Sequence, residues 1–396
     1  MSVTDSTKPV GIEVSLAMAE AVKLAEAEVV AAYPITPQTH IVEHLADLVA
    51  DGELNAEYVP VESEQSAMSA CLGSSAAGAR TFTATSSQGL MLMAEMVFIA
   101  PLLRLPIVMA VANRAISGPI NIWNDHSDIM SIRDCGWIQI FAENGQEATD
   151  MSIMSFRIAE DKEIMMPVIL NIDGFTLSHF IEPITFPPKE KVKAYLPPYE
   201  TKHKLDINAP MSIGCLGAPE VYSEAKKATD DALVNSKSHI IRCFNEFEKI
   251  FGRKYNVVET YKSEDAETII VLMGSITETA MTAVDEMREA GEKVGLVRLR
   301  LWRPFPVEEF KAAVKNAKHL AVVDRHITPG FPEGPVGTEV RALLFHDENR
   351  PRISNFVLGL GGRDVTRNHF KYIVEQVKEL GSSGRQGHYE MVGVSA

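Results

Sequence analysis

Short, largely uncharged runs alternate with helical patterns along the first half of the chain. The runs 29–32, 58–61, 80–84, 106–112 and 167–172 have the length of strands, and each is followed by turn-forming or polar residues. Between them, 14–28, 39–49, 65–77, 89–103 and 146–161 read as helices, the first of them rich in alanine. Between 112 and 146 the pattern predicts a long loop. Strand–helix alternation of this kind predicts an α/β fold, a parallel sheet with helices on both faces. A second series starts at 268 and continues through 294–300, 307–316, 320–324, 338–345 and 353–359, with a last helix near 368–380. That series predicts a second, smaller α/β domain, so the chain divides into 1–260 and 261–396. Residues 185–210 are rich in proline and lysine and read as an extended connection, followed by a helix over 220–254.

Composition narrows the classes of function. The chain has 396 residues, enough for two cores, and 46% of them are hydrophobic. A formal charge of −15 argues against binding nucleic acid or an anionic membrane, either of which needs a basic face. The most apolar stretch, 90–112, is interrupted by Glu95, Pro101, Arg104 and Pro106, so it reads as a buried helix and strand. The N-terminus shows no basic-then-apolar pattern of a secretory signal, and a cytoplasmic location is expected. Cys71, Cys135, Cys215 and Cys243 are widely scattered, which argues against a cluster or metal site within this chain.

Phosphate-loop, zinc-protease and nucleophile-elbow motifs are all absent. Residues 359–364, Gly-Leu-Gly-Gly-Arg-Asp, imitate a dinucleotide turn, but Asp364 stands where the third glycine belongs.

The chemistry gathers at the ends of the first-half runs. They lead to Thr36, to Glu62-Ser-Glu64, to Ser86-Ser87-Gln88-Gly89, to Asn113-Arg114 and to Asp173-Gly174. In a parallel sheet these points share one edge, where open α/β folds bind ligands. Arg114 suits a small carboxylate, held through two hydrogen bonds. Thr36, fixed between Pro34 and Pro37, would share that anion. Glu64 stands between an apolar strand and the apolar segment Ala67-Met-Ser-Ala-Cys-Leu, which favours a shared proton over a bare charge. Each residue alone has a plainer reading: a first-turn acid behind the N-cap Ser63, an ion-pairing arginine, a turn threonine. Their joint occurrence favours a site. Asp125, His126 and Asp128 resemble metal ligands, but a hydrogen-bonded loop explains them better.

Tyr33-Pro-Ile-Thr-Pro, Glu62-Ser-Glu-Gln-Ser-Ala, Thr81-Phe-Thr-Ala-Thr-Ser-Ser-Gln-Gly89, Asn113-Arg-Ala-Ile and Asn124-Asp-His-Ser-Asp resemble the pyruvate:ferredoxin oxidoreductase family. Asp173-Gly-Phe, Arg303-Pro-Phe and Gly361-Gly-Arg-Asp-Val extend the resemblance along nearly the whole chain. More narrowly, the chain is similar to the α subunit of the multi-subunit enzymes. The resemblance implies a thiamine-diphosphate pyrimidine-binding domain followed by a transketolase-C-like domain. It implies the reaction of a 2-oxo acid, best pyruvate, with coenzyme A and oxidised ferredoxin to give acetyl-CoA, CO2 and reduced ferredoxin. Glu64 would hydrogen-bond the aminopyrimidine of thiamine diphosphate, with Pro34, Ser87 and Gln88 around the cofactor. Thr36 and Arg114 would hold the substrate. No G-D-G…N motif for Mg2+ and diphosphate is present, so these, with a proximal [4Fe-4S] cluster, are expected on a β-type partner. Further clusters are expected on a ferredoxin-like δ-type subunit, beside a γ-type subunit. Rival readings are the same chemistry on 2-oxoisovalerate or phenylglyoxylate, the β-type subunit of a lipoamide-linked 2-oxo acid dehydrogenase, and a non-catalytic scaffold.

Overall fold

A computed structural model describes residues 8–201, 203–383 and 388–395. In chain order the first part comprises β1 (Val10–Glu13), α1 (Val14–Leu24), β2 (Val29–Ala32), α2 (Thr39–Ala50), β3 (Glu57–Pro60), α3 (Glu64–Ala76), β4 (Thr81–Thr85), α4 (Ser87–Leu92), α5 (Ala94–Leu102), β5 (Val108–Asn113), α6 (Ser127–Ser131), β6 (Ile138–Phe141), α7 (Gly145–Ala159) and β7 (Val168–Asp173). Next come β8 (Ile181–Ile184), α8 (Lys189–Tyr195), α9 (Pro219–Phe251) and β9 (Val258–Tyr261). The remainder is β10 (Thr268–Leu272), α10 (Ile276–Glu289), β11 (Val294–Leu299), β12 (Leu301–Arg303), α11 (Val307–Val314), β13 (His319–Asp324), α12 (Pro335–Leu344), β14 (Arg352–Val357), α13 (Arg367–Ser383) and β15 (Tyr389–Met391).

The first sheet has the order β12-β6-β7-β5-β4-β2-β3. Its strands are parallel except β12, which pairs antiparallel with β6. Every residue of β4, β5 and β7 is buried, as expected where helices cover both faces. From β2 the chain steps outward to β3 and then returns past β2 to β4. That reversal is a topological switch point, and a crevice opens at the carboxyl ends of the strands beside it.

The second sheet, β15-β14-β13-β10-β11-β9, is parallel save for β9. Its strands are apolar on both faces, and the two-residue period sends alternate side chains to two different cores. Ile269, Val271, Val297, Leu299, Leu320 and Val322 join the core of the first sheet, while Ile270, Leu272, Leu296, Ala321 and Val323 pack with α10 and α13. β12 lies late in the sequence yet completes the first sheet, so the two halves are tied by backbone pairing as well as by packing.

Some expectations meet a different local structure. The single helix read over 89–103 is two, because the chain turns at Met93 between α4 and α5. The stretch expected to run extended over 185–210 contains α8, which starts behind Pro188 and buries Val192 and Tyr195. The loop expected after 112 holds β6, whose buried Gln139 side chain donates to the Arg133 carbonyl and breaks the apolar pattern that marks a strand. No helix among the described residues is long and apolar enough to cross a membrane.

Candidate active site

Glu64 opens α3 directly after β3. Ser63 caps the helix, its hydroxyl accepting the Ser66 N–H at 3.2 Å. Buried Ala67, Met68 and Cys71 draw the helix under the sheet edge, and Glu64 is left only 7% exposed. Gly89 of α4 faces it. A Cβ there would stand 2.7 Å from Glu64 Oε1 and 2.5 Å from Thr85 Oγ1, so only glycine lets α4 come this close. Among the described residues no group hydrogen-bonds the Glu64 carboxyl. Its oxygens keep an opening to solvent, through which a ligand can meet them.

Arg114 follows β5 and is equally shielded, at 7%. Its Nη1 donates to the Thr36 carbonyl at 2.8 Å, Nη2 to Gln88 Oε1 at 2.8 Å, and Nε to the Asn121 carbonyl at 3.0 Å. A guanidinium has five N–H donors, so one on each terminal nitrogen is left for an anion. Burial lowers the Arg114 pKa, and the carboxylates of Asp128 and Glu64 offset part of that effect. Arg114 and the Glu64 carboxyl therefore lie near one another within one crevice.

Thr36 meets Arg114 through its carbonyl oxygen, while its side chain lies on the exposed rim with Pro34. The turn is closed by Gln38 Nε2 on the Tyr33 carbonyl at 2.7 Å. Ser87 is fully buried in a left-handed backbone conformation, φ 44°. Its hydroxyl lies 2.7 Å from both the Ala115 carbonyl and Gln88 Oε1, which orients Gln88 toward Arg114. Arg114 thus touches both Thr36 and Gln88, Glu64 faces the same crevice, and Ser87 and Pro34 lie beside Gln88 and Thr36.

The loop 124–128 supports this edge from beneath. Asp128 is fully buried and accepts the backbone N–H groups of both Ser87 and Arg114, at 3.1 and 3.0 Å. Burial pushes its pKa up to about 6 against these hydrogen bonds. Asp125 accepts from Ser127 and from the Gly361 N–H, and His126 Nε2 lies 2.9 Å from Asp173 Oδ1. All three side chains are engaged by protein groups, as a hydrogen-bonded loop requires. The turn at 359–364 is the other half of that loop's support: Asn121 Nδ2 donates to the Gly361 carbonyl, and the Gly362 N–H to the Asn124 carbonyl. Sequence reasoning missed the clamp role of Asp128, whose only visible signal was a buried-type loop acid following an apolar strand.

Asp173 joins the two halves of the molecule. Its carboxylate accepts from Arg325 Nη1 at 3.1 Å and from the Ser275 N–H at 2.8 Å, besides its contact with His126. Burial would raise its pKa, but Arg325 and His126 together hold it well below the usual carboxylate range.

Comparison with known proteins identifies the family. The family model "Pyruvate flavodoxin/ferredoxin oxidoreductase, thiamine diP-bdg" matches residues 20–245, and "Pyruvate:ferredoxin oxidoreductase core domain II" matches residues 266–370. The pyruvate synthase subunit PorA of Methanocaldococcus jannaschii is 49% identical over 92% of this chain and 93% of its own. That of Pyrococcus furiosus is 47% identical, over 93% of each chain. The ketoisovalerate oxidoreductase subunit VorA of Pyrococcus horikoshii is 43% identical over 91% of each. Among solved structures, a 2-oxoglutarate:ferredoxin oxidoreductase from Magnetococcus marinus superposes with a TM-score of 0.70 at 22% identity, over 94% of this chain and 65% of that one. A split-gene transketolase superposes at 0.54 with 12% identity, over 94% of this chain and 99% of that one. Both structures bear on the fold alone.

The crevice carries a group that suits thiamine diphosphate, the cofactor named in the matched family model. A shielded carboxyl without a partner, set against a glycine, suits the hydrogen-bonding edge of a pyrimidine. The matched models and the relatives, over nine-tenths of the chain, establish that this chain belongs to the pyruvate:ferredoxin oxidoreductase family, as one subunit of the multi-subunit 2-oxoacid:ferredoxin oxidoreductases.

Proposed function

We propose that this chain is the α subunit of an enzyme that converts pyruvate, coenzyme A and oxidised ferredoxin to acetyl-CoA, CO2 and reduced ferredoxin. It would supply the aminopyrimidine side of the thiamine-diphosphate site and the grip on the substrate carboxylate. The observation that carries this reading is the partnerless, shielded Glu64 carboxyl in the same crevice as an Arg114 oriented by Thr36, Gln88 and Asn121.

Thiamine diphosphate, when bound, supplies the carbanion chemistry that decarboxylation needs. Glu64 would hold the proton shared with the pyrimidine ring nitrogen. Arg114, with two N–H groups to spare, would take the carboxylate of the 2-oxo acid and aim its carbonyl at the cofactor. Gln88 and the Thr36 carbonyl keep the guanidinium from swinging away, and Ser87 and Pro34 shape the wall beside the cofactor.

The β-type partner would hold Mg2+, the diphosphate and a proximal [4Fe-4S] cluster, with γ- and δ-type subunits completing the path to ferredoxin. An open apolar rim supports a partner closing over this edge: Ile120 is 83% exposed and Trp123 51%, on a loop anchored to Arg114 through Asn121. A cytoplasmic setting accords with four unpaired cysteines. The division of labour between residues 1–260, as the pyrimidine-binding part, and 261–396 belongs to the same proposal.

Pyruvate is favoured over 2-oxoisovalerate because pyruvate synthase subunits range from 43 to 49% identity, most of them above the 43% of the ketoisovalerate subunit. Steady-state rates of the reconstituted complex with pyruvate, 2-oxoisovalerate and phenylglyoxylate decide that point. Viologen reduction dependent on coenzyme A separates this activity from a lipoamide-linked dehydrogenase. The central test is Glu64→Gln in the complex. Exchange of the cofactor's C2 proton should slow by at least about 10²-fold, and an unchanged rate would remove Glu64 from its role.

A further inference from the structure

Next to the Thr36 turn, Glu13, His40 and His179 converge, joined through Phe175 to Trp123 of the rim. One carboxylate oxygen and one nitrogen from each ring lie within 4.8 Å of one another, and all three residues are half-buried. They come from three separately anchored elements. Glu13 ends β1, which pairs antiparallel with β8. His40 is the second residue of α2. His179 lies in the turn after β7, pinned to the start of α1 by Val14 N–H on the Phe180 carbonyl and Ser15 N–H on the Ser178 carbonyl, each at 3.0 Å.

The side chains are arranged as well as close. His40 Nδ1 lies 2.6 Å from Glu13 Oε1. The His179 ring lies against His40 with centroids 4.6 Å apart, and Phe175 backs it from its other side at the same spacing. Ser178 Oγ, held by the Phe175 N–H at 2.9 Å, sits 2.8 Å from His179 Nδ1. Such an outer hydrogen bond fixes one ring nitrogen and leaves the other for a ligand.

Two imidazole nitrogens and a carboxylate oxygen within 4.8 Å of one another are a donor set that one transition-metal ion can hold. A divalent cation satisfies all three. We propose that Glu13, His40 and His179 form a His2Glu site for a borderline divalent transition-metal ion of the Zn2+ class. Donors on tetrahedral zinc lie roughly 3.4 Å apart, given bonds of about 2.0–2.1 Å, so the 2.6 Å Glu13–His40 contact has to open while the wider spacings draw in, each by roughly an ångström. The fourth position stays open to water. The ion would staple β1, α2 and the turn after β7. That turn already presses on the Thr36 loop: a Cβ at Gly174 would stand 2.6 Å from Pro37 Cγ.

The test uses the full chain with Zn2+ in competition with a chromogenic chelator. One tightly bound Zn2+ per chain is expected, with the thermal unfolding midpoint rising on its addition. Glu13→Gln, His40→Ala and His179→Ala should each weaken binding at least about 10-fold, and Ser178→Ala about 10-fold, the range measured for outer-shell partners. His44→Gln, whose ring contacts Glu20 instead, should leave it unchanged. Circular dichroism identifies any variant that fails to fold, and the remaining substitutions then decide. Absence of stoichiometric binding overturns the site, as does stoichiometric binding that none of the three ligand substitutions weakens.

Discussion

Glu64 Oε1 stands 2.7 Å from the point where residue 89 would carry its Cβ. The approach of α4 to α3 is therefore set by a missing methyl group. Gly89→Ala should push Glu64 or α4 out of register while adding only one carbon. Because small misplacements near reacting groups cost about 10²-fold, turnover of the reconstituted complex with pyruvate should fall by about that factor. Circular dichroism of the chain should stay close to wild type. Full turnover by a folded Gly89→Ala chain would show that the contact does not position the acid.

Arg114 serves three protein acceptors with a planar fork, which a lysine ammonium cannot reproduce. Arg114→Lys keeps the charge and loses the geometry. With hydrogen bonds to charged groups worth about 1.5–3 kcal/mol, kcat/KM for the 2-oxo acid should drop by about 10–100-fold, with KM carrying much of the change. An effect confined to kcat with KM untouched would place the residue elsewhere in the cycle.

Asp173 is the acceptor for Arg325 at the junction of the two sheets, and both side chains are buried. Asp173→Asn preserves the shape but leaves a buried guanidinium without its counter-charge. Removing one partner of such a pair costs about 3–5 kcal/mol, so the unfolding midpoint of the chain in denaturant should fall clearly. A midpoint equal to wild type would mean that the junction does not depend on this pair.

Glu143 supplies a pH signature. It is 8% exposed, with Arg298 3.2 Å from Oε2 and no partner for Oε1. Burial pushes its pKa up to about 7; Glu147 and Glu278 add to the rise, and Arg298 opposes it. The folded state therefore keeps a proton that the unfolded chain releases near 4.5. The stabilisation is complete below that pH and lost as pH rises through about 7. The unfolding temperature of wild type relative to Glu143→Gln should decline between pH 5 and 8. A constant difference across that range would refute the assignment.

The strand-end positions were legible because a parallel sheet aligns the carboxyl ends of its strands whatever lies between them. Alternating apolar runs and turn residues therefore placed Thr36, Glu64, Ser87, Gln88 and Arg114 along one edge before any coordinates. The same local patterns gave the α/β class and the sense of a second α/β unit. Spacing along the chain carries no information about side-chain partners far apart in sequence. That Thr36 meets Arg114 through its carbonyl, and that Asp128 fastens both the Ser87 and Arg114 turns, depends on contacts spanning 14 to 78 positions. So do the entry of β12 into the first sheet and the meeting of Glu13, His40 and His179. Secondary structure is written in local periodicity. These pairings follow from how the sheets twist and close on one another, and only the folded chain decides them.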